Sequence, residues 1–138
     1  MKHFLSKNFL LGVFAALAIA FSGCEKDEGK LPDIAFKTGA GYTSADATLA
    51  PGATVLVGIT ADKTEDKDVL KTFTMSVSYG GGAEIDAFTQ TLTGDEGDHF
   101  ETDIPIALRN VTGTEKYTFT VVNRDGLTNS VSLTVTTQ

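Results

Sequence analysis

The sequence predicts an all-β domain of seven short strands packed as a two-sheet sandwich, preceded by a short apolar segment at the N-terminus. From residue 31 onward, apolar side chains recur at every second position, the period of a strand with one buried face. Clusters of Gly, Asn, Asp and Pro separate these runs, and no helical period follows the first 23 residues. Seven strands in about 105 residues favour a sandwich. A closed barrel is the alternative.

Four of the predicted strands occupy the first half of this region. Their marker side chains are, in order, Ile34 and Phe36 (about residues 33–37); Val55, Val57 and Ile59; Val69, Lys71, Phe73, Met75, Val77 and Tyr79; and Ile85, Phe88 and Leu92 (about residues 84–92). The run Gly80–Gly82 supplies the positive backbone angles of a hairpin between the third and fourth strands. The uneven spacing in the fourth strand predicts a bulge or a sheet edge.

Three more strands complete the predicted domain. Their marker side chains are Phe100, Ile104, Ile106 and Leu108; Tyr117, Phe119 and Val121; and Val131, Leu133 and Val135. Pro105 lies on the non-core face of the first of these strands, which predicts an edge because proline cannot donate a ladder hydrogen bond. The Asn-Arg-Asp-Gly run at residues 123–126 predicts the turn before the last strand.

The N-terminal segment has the pattern of a secretion signal. Residues 1–9 carry Lys2 and Lys7 without an acid, and residues 10–21 are uncharged and almost wholly apolar. As a helix this stretch is about 18 Å long, too short to cross a hydrocarbon layer of roughly 30 Å. We therefore expect residues 1–23 to be a cleaved signal peptide. A buried N-terminal helix is the alternative, and it fits poorly because that helix has no polar face.

The residues after the apolar stretch indicate a lipid anchor. Phe21-Ser22-Gly23-Cys24 resembles the lipobox of bacterial lipoproteins, although Phe21 stands where Leu is usual. The resemblance implies that Cys24 carries acyl chains such as palmitate and becomes the mature N-terminus. Several acyl chains hold a protein on a membrane almost permanently. A free buried cysteine is the alternative.

Residues 24–30 form a charged tether. Lys26-Asp27-Glu28 resembles the surface-export signal of Bacteroidota outer-membrane lipoproteins, which implies a lipid-anchored protein exposed at the cell surface. The periplasmic leaflet of the same membrane is the alternative. The tether reaches at most about 20 Å, so the domain at residues 31–138 is expected to lie near the lipid headgroups.

Two segments near the C-terminus resemble known β-sandwich domains. Residues 113–119 resemble the start of strand F in immunoglobulin and fibronectin type III folds, with Tyr117 as the corner tyrosine and Phe119 in place of the second cysteine. Residues 123–130 resemble the F–G turn of bacterial immunoglobulin-like modules. The resemblance implies a seven-stranded immunoglobulin-like antiparallel β-sandwich. The core Trp and the disulfide of antibody domains are missing.

Composition excludes several function classes. With 11 basic and 18 acidic residues the formal charge is −7, which argues against a nucleic-acid partner. One cysteine excludes an internal disulfide. After residue 23, His99 is the only side chain that titrates near neutral pH without a perturbed pKa, and no catalytic motif accompanies it. We therefore expect the protein not to be an enzyme.

Two acidic turns raise the question of metal binding. Asp95, Glu96 and Asp98 crowd one turn, and calcium is often held by acidic loops. Residues 65–68 form a second acidic turn, which Lys67 interrupts. Neither turn has the spacing of a calcium-binding loop, so solvated acids are expected, with structural calcium as the weaker alternative. Apart from the lipid we expect no cofactor.

Three function classes remain. The first is a non-catalytic binding or accessory module that contacts an outer-membrane protein complex or a surface protein through a sheet edge or loops. The second is a glycan-binding module for carbohydrate uptake, a common role of Bacteroidota surface lipoproteins, with Tyr42 in its Gly-rich loop as the ligand contact. The third is a hydrolase that uses His99. We favour the first, because the residues that the other two require are scarce.

Overall fold

The computed structural model describes residues 29–138, which fold as two stacked sheets and confirm the predicted all-β sandwich. The eight strands are β1 (Asp33–Phe36), β2 (Ala47–Leu49), β3 (Thr54–Asp62), β4 (Leu70–Tyr79), β5 (Ile85–Thr91), β6 (His99–Ala107), β7 (Gly113–Asn123) and β8 (Thr128–Thr137). A short 3₁₀ helix, Gly94–Gly97, links β5 to β6. The prediction of seven strands was one too few, because β2 has three residues and is too short to show alternation.

The two sheets differ in width. The narrow sheet has the order β1-β3-β6, and the wide sheet has the order β2-β8-β7-β4-β5. Neighbouring strands are antiparallel, except that β2 runs parallel to β8, so the expectation of a purely antiparallel sandwich was wrong at this edge. The edge strands are β1 and β6 in the narrow sheet and β2 and β5 in the wide one.

The core lies between the sheets and contains side chains from both. Phe73 on β4 and Phe119 on β7 are fully buried. The Phe73 ring lies 5.1 Å from the ring of Phe100 on β6, and the Phe119 ring lies 5.8 Å from that of Phe36 on β1. Burial of one such side chain contributes about 1.5–3 kcal/mol. These ring pairs bring β6 against β4 and β1 against β7 in the core, and the backbone of β1 also approaches that of β8.

The start of β4 departs from the predicted pattern. Alternation placed Val69 and Lys71 on the face of Phe73, but Leu70 is fully buried and Lys71 is exposed. The pairing of β4 with β7 shifts register between Leu70 and Thr72. An irregularity of this kind adds a residue to one strand and reverses its alternation from that point.

Three predictions about edges and turns are confirmed. Gly80 and Gly81 have φ values of 59° and 76° in the β4–β5 hairpin, whereas Gly82, the third glycine of the predicted run, does not have a positive φ. β5 is an edge strand, and its pairing with β4 is irregular between Met75 and Ser76. Pro105 is exposed on β6, which is also an edge strand.

Candidate functional site

The wide sheet extends past the narrow one and leaves part of its inner face open to solvent. Because β6 is an edge strand and packs against β4, no strand within residues 29–138 lies opposite β5, the next strand of the wide sheet. Phe88 of β5 pairs with Met75 of β4, and Ile85 pairs with Val77. Met75 and Val77 point towards the core, so Phe88 and Ile85 point to the same inner face of the wide sheet. Even so, Ile85 is 58% exposed and Phe88 is 45% exposed. Met75, Ile85 and Phe88 are called the uncovered face below.

Phe88 is fixed on the uncovered face by a row of aromatic rings. Its ring centroid lies 6.4 Å from that of Phe73 in an edge-to-face arrangement, and Phe73 in turn contacts Phe100. Edge-to-face pairs of this kind contribute about 0.5–1.5 kcal/mol beyond burial. One side of the Phe88 ring is therefore held by the core, while the other side is presented to solvent.

The free edge of β6 lies next to the uncovered face. The backbone N–H of Leu108 donates to the carbonyl of Ala53, directly before β3. Because backbone groups alternate along a strand, the even-numbered residues of β6 bond to β3 and the odd-numbered ones point to the free edge. The N–H and C=O groups of Glu101 and Asp103 therefore face away from the sheet. Pro105 contributes no donor there.

His99, at the start of β6, contacts two carboxylates on the outer face of the narrow sheet. Its Nδ1 lies 2.6 Å from Asp62 Oδ1 and its Nε2 lies 3.2 Å from Glu101 Oε1. The contact with Asp62, followed by that with Glu101, raises the pKa of His99 above its ordinary value. The same contact lowers the pKa of Glu101, with a further contribution from Lys37. Both ring nitrogens are engaged by carboxylates, so neither is directed at a hydroxyl nucleophile.

Tyr42, the predicted sugar contact, packs on the same outer face. Its hydroxyl lies 3.2 Å from both carboxylate oxygens of Asp103, and Lys37 Nζ donates to Asp103 Oδ1 at 3.1 Å. Gly58 on β3 allows this packing, because a Cβ there would lie 2.7 Å from Tyr42 Cε1. Tyr42 is half-buried and one part of its ring is already in contact with the protein. Its role as a sugar contact stays a prediction.

A buried carboxylate lies near the start of β7. Glu115 is 1% exposed, and its Oε1 accepts hydrogen bonds from Arg109 N at 3.0 Å and Arg109 Nε at 3.1 Å. Tyr117 donates its hydroxyl to Oε2 of Glu115. Burial and then this hydrogen bond raise the pKa of Tyr117. The Arg109 guanidinium also lies 3.7 Å above the ring centre of Tyr79.

Sequence reasoning missed Glu115, although a signal was present. Glu115 stands two positions before Tyr117, which places both on the buried face of the strand. A charged residue at a core position indicates a buried partner, because an isolated buried charge is very costly. Tyr117 itself, predicted as a core residue, is 3% exposed.

In the first acidic turn, Glu96 and Asp98 have local partners. Glu96 Oε2 accepts the backbone N–H of Thr93 at 3.2 Å, and Glu96 Oε1 accepts Gln90 Nε2 at 3.2 Å. Asp98 Oδ1 lies 2.7 Å from Lys63 Nζ. Asp95 is exposed. The carboxylates of Glu96 and Asp98 therefore bind groups of the turn itself, of β5 and of the loop after β3.

The second acidic turn contains a buried carboxyl group. Asp68 is 2% exposed, and its Oδ2, like Oε2 of Glu65, has no hydrogen-bond partner among residues 29–138. The neighbouring Glu65 carboxyl group, and then burial, raise the pKa of Asp68. Within residues 29–138, no group of three or more His, Cys, Asp or Glu side chains could hold a metal ion.

The predictions for the N-terminus fall outside the described residues. They concern the signal peptide at residues 1–23, Cys24, and the export signal Lys26, Asp27 and Glu28. From residue 29 to the C-terminus, no helix is long and apolar enough to span a membrane. The same part of the chain forms no pocket.

Replacement of Glu115 by alanine is expected to destabilise the domain by about 1–3 kcal/mol, because it leaves the buried Tyr117 hydroxyl and the Arg109 backbone N–H without their acceptor, while the Arg109 guanidinium is 43% exposed and can turn to water. Urea unfolding followed by circular dichroism measures the loss. Glu84→Ala is the matched control, since Glu84 is exposed and its Oε1 accepts a single hydrogen bond from the Thr118 hydroxyl. Its expected cost is within about 0.5 kcal/mol. Equal costs for the two variants would contradict a structural role for Glu115.

The contacts of His99 predict a pH-dependent contribution to stability. Because its pKa is raised in the folded state, the contribution is fully present below about pH 6.5, the ordinary value, and is lost as pH rises through the folded-state pKa. Because the pKa of Glu101 is lowered, its contribution is lost in acid. The free energy of unfolding of the wild-type protein should therefore exceed that of His99→Gln by more at pH 5.5 than at pH 8.5. An equal difference at both pH values would refute the coupling.

Comparisons with known proteins identify no family. No protein-family model matches the sequence, and no curated protein matches it. Among solved structures, the crystal structure of a beta-glucosidase from Listeria innocua in complex with glucose matches with a TM-score of 0.42 and 10% identity. The match covers 76% of this chain and 16% of that chain, so this protein corresponds to a small part of the enzyme's length.

Proposed function

We propose that this protein is a non-catalytic binding module, anchored by lipid on Cys24 at the surface of a bacterial outer membrane, that contacts a protein partner through the uncovered face. The exposure of Ile85 and Phe88 on a sheet face that is otherwise buried is the observation that carries the proposal. Exposed apolar patches on stable domains are typical of interaction sites. Aromatic anchors are also enriched among the residues that dominate binding energy.

The fold supports an immunoglobulin-like reading of the domain. Such sandwiches place strands A, B, E and D in one sheet and C, F and G in the other, with C′ added in some members. The observed order agrees when β1, β3 and β6 are taken as A, B and E, and β4, β5, β7 and β8 as C, C′, F and G. In this reading the described part of the chain has no strand D beside β6, which is why none of its strands lies opposite β5.

The attachment of the chain to the domain supports a partner close to the membrane. The carbonyl of Leu31 accepts the Thr64 hydroxyl at 2.9 Å, and the carbonyl of Pro32 accepts Asn129 Nδ2 at 2.9 Å. The carbonyl of Lys30 also accepts Asn123 Nδ2 at 3.4 Å, so the chain is held by the domain from about residue 30. If Cys24 carries lipid, roughly six residues separate the domain from the anchor, a reach of at most about 20 Å.

Glycan binding through Tyr42 is the weaker proposal. The hydroxyl of Tyr42 contacts Asp103, and its ring packs over Gly58. Sugar recognition on an aromatic ring needs an accessible ring face. Phe88 offers more exposed aromatic surface, but it lies in an apolar setting with Ile85 and Met75, which favours a protein partner.

Crosslinking on intact cells tests the protein partner. We expect outer-membrane or surface proteins to be recovered in fixed stoichiometry by mass spectrometry, and we expect Phe88→Ser to reduce their yield at least about tenfold, as for loss of a central anchor. Val111→Ser is the matched control, because Val111 is 51% exposed but lies outside the uncovered face. Undiminished recovery with Phe88→Ser, or recovery of polysaccharide alone, would overturn the proposal.

Metabolic labelling with palmitate tests the anchor. The wild-type chain should incorporate label and partition into detergent, because several acyl chains bind a bilayer almost irreversibly. Cys24→Ala should remain unlabelled and keep its first 23 residues. Replacement of Lys26, Asp27 and Glu28 by alanine should retain the label but reduce accessibility to protease added outside the cell. An unlabelled wild-type chain would exclude the lipid anchor.

A further inference from the structure

We propose that the strand position beside β6 is a docking site for one extended segment of a partner protein, with apolar side chains on its inner face and basic side chains on its outer face. This inference rests on the proposed function and specifies the partner's chemistry. It follows from three features that meet at one place: the free edge of β6, the uncovered face, and the acidic side chains on the outside of β6.

The first feature is the geometry of the two sheets. Strands within a sheet lie about 4.8 Å apart, and packed sheets lie about 10 Å apart. Since β6 lies over β4, a strand added to the free edge of β6 lies over β5. A single strand at this position therefore covers Ile85 and Phe88. Burial of these two side chains favours docking, because removal of apolar area from water is favourable.

The second feature is the pattern of backbone groups at the edge. β6 is hydrogen-bonded on one side only, to β3. The N–H and C=O groups of Glu101 and Asp103 point to the other side, as the bond from Leu108 to Ala53 establishes. Strand addition to an exposed edge uses such groups for affinity and alternate side chains for specificity. Pro105 lacks an N–H and limits pairing to the first half of the strand.

The third feature is charge. On the outer face of the narrow sheet, Glu101 and Asp103 share Lys37, at 3.4 and 3.1 Å, and Asp62 contacts His99. Three carboxylates thus face one lysine and one histidine. Basic side chains on the outer face of an added strand would lie beside Glu101 and Asp103, since opposite charges on neighbouring strands attract.

The same charges argue against a second copy of this chain as the occupant. Pairing of β6 with β6 of another copy would bring acidic outer faces together, and like charges directly opposite each other are destabilising. The edge of β5 is also a weaker candidate. A strand added there would widen the sheet and leave Ile85 and Phe88 exposed to solvent.

Hydrogen exchange on the purified lipidated chain in detergent tests the inference. The probe is a synthetic octapeptide of alternating Val and Lys, and its matched control has Glu in place of Lys. We expect the Val–Lys peptide to slow exchange at the amides of Glu101 and Asp103 by about tenfold, because those donors become hydrogen-bonded. Phe88→Ser should abolish this protection. The Val–Glu peptide should protect neither amide.

The outcomes separate this inference from the proposed function. Protection of the β5 amides of Thr89 and Thr91, which point away from β4, instead of Glu101 and Asp103, equal protection by both peptides, or no protection at all would overturn the inference. If Phe88→Ser still reduced partner recovery on cells, the proposed function would survive that failure. Glu101→Pro should lower partner recovery and Thr89→Pro should not, because proline removes one free-edge donor from β6 and β5 respectively.

Discussion

A sheet with one apolar face is stable in water only where a second layer excludes water from that face, and here the second layer is narrower by two strands. The strands of the narrow sheet cover the middle of the wide one, where Phe73 and Phe119 are fully buried. At one end the short β2 and at the other end β5 extend the wide sheet. The exposure of Phe88 follows directly from this difference in width, and so does the location of the candidate binding surface.

The other constraint on the domain is a charge inside it. Glu115 is buried near the start of β7, where Tyr117 and Arg109 supply its hydrogen bonds. Glu115 is buried while the Arg109 side chain is 43% exposed, and this pair is not strong evidence for stability, because desolvation of the carboxylate offsets much of the attraction. It does specify geometry, since the three side chains can be satisfied together in few arrangements. The cluster thus fixes how the segment carrying Arg109 leaves β6 and enters β7.

Alternation of apolar residues predicted most of the fold. It located β1 through Ile34 and Phe36, and β7 through Tyr117, Phe119 and Val121, because long-range packing there agrees with local pattern. It failed at Lys71, where an irregular pairing reverses the alternation, and at β2, which is too short. The uncovered face could not be predicted, because the spacing of Ile85 and Phe88 indicates an edge strand but not what lies across from it.

The polar interactions within the site were also beyond sequence reasoning. His99 is adjacent to acidic residues in the sequence, yet its partner Asp62 comes from the far end of β3. Gly58 did carry a signal, because a glycine inside an alternating strand marks a close approach, here by Tyr42 and Lys37. The partners themselves depend on the β3–β6 register, which places Asp62 opposite His99 and Gly58 opposite Asp103.

The two hydrogen bonds to the carbonyls of Leu31 and Pro32 affect how the domain responds to a force applied at its N-terminus. Thr64, which holds the carbonyl of Leu31, follows a strand of the narrow sheet, whereas Asn129, which holds the carbonyl of Pro32, belongs to the wide sheet. A pull on the N-terminus is therefore shared between both layers before it reaches β1, which has only four residues paired with β3. If the protein is tethered at that end, β1 would resist unfolding when fluid shear or a moving ligand applies force to the domain.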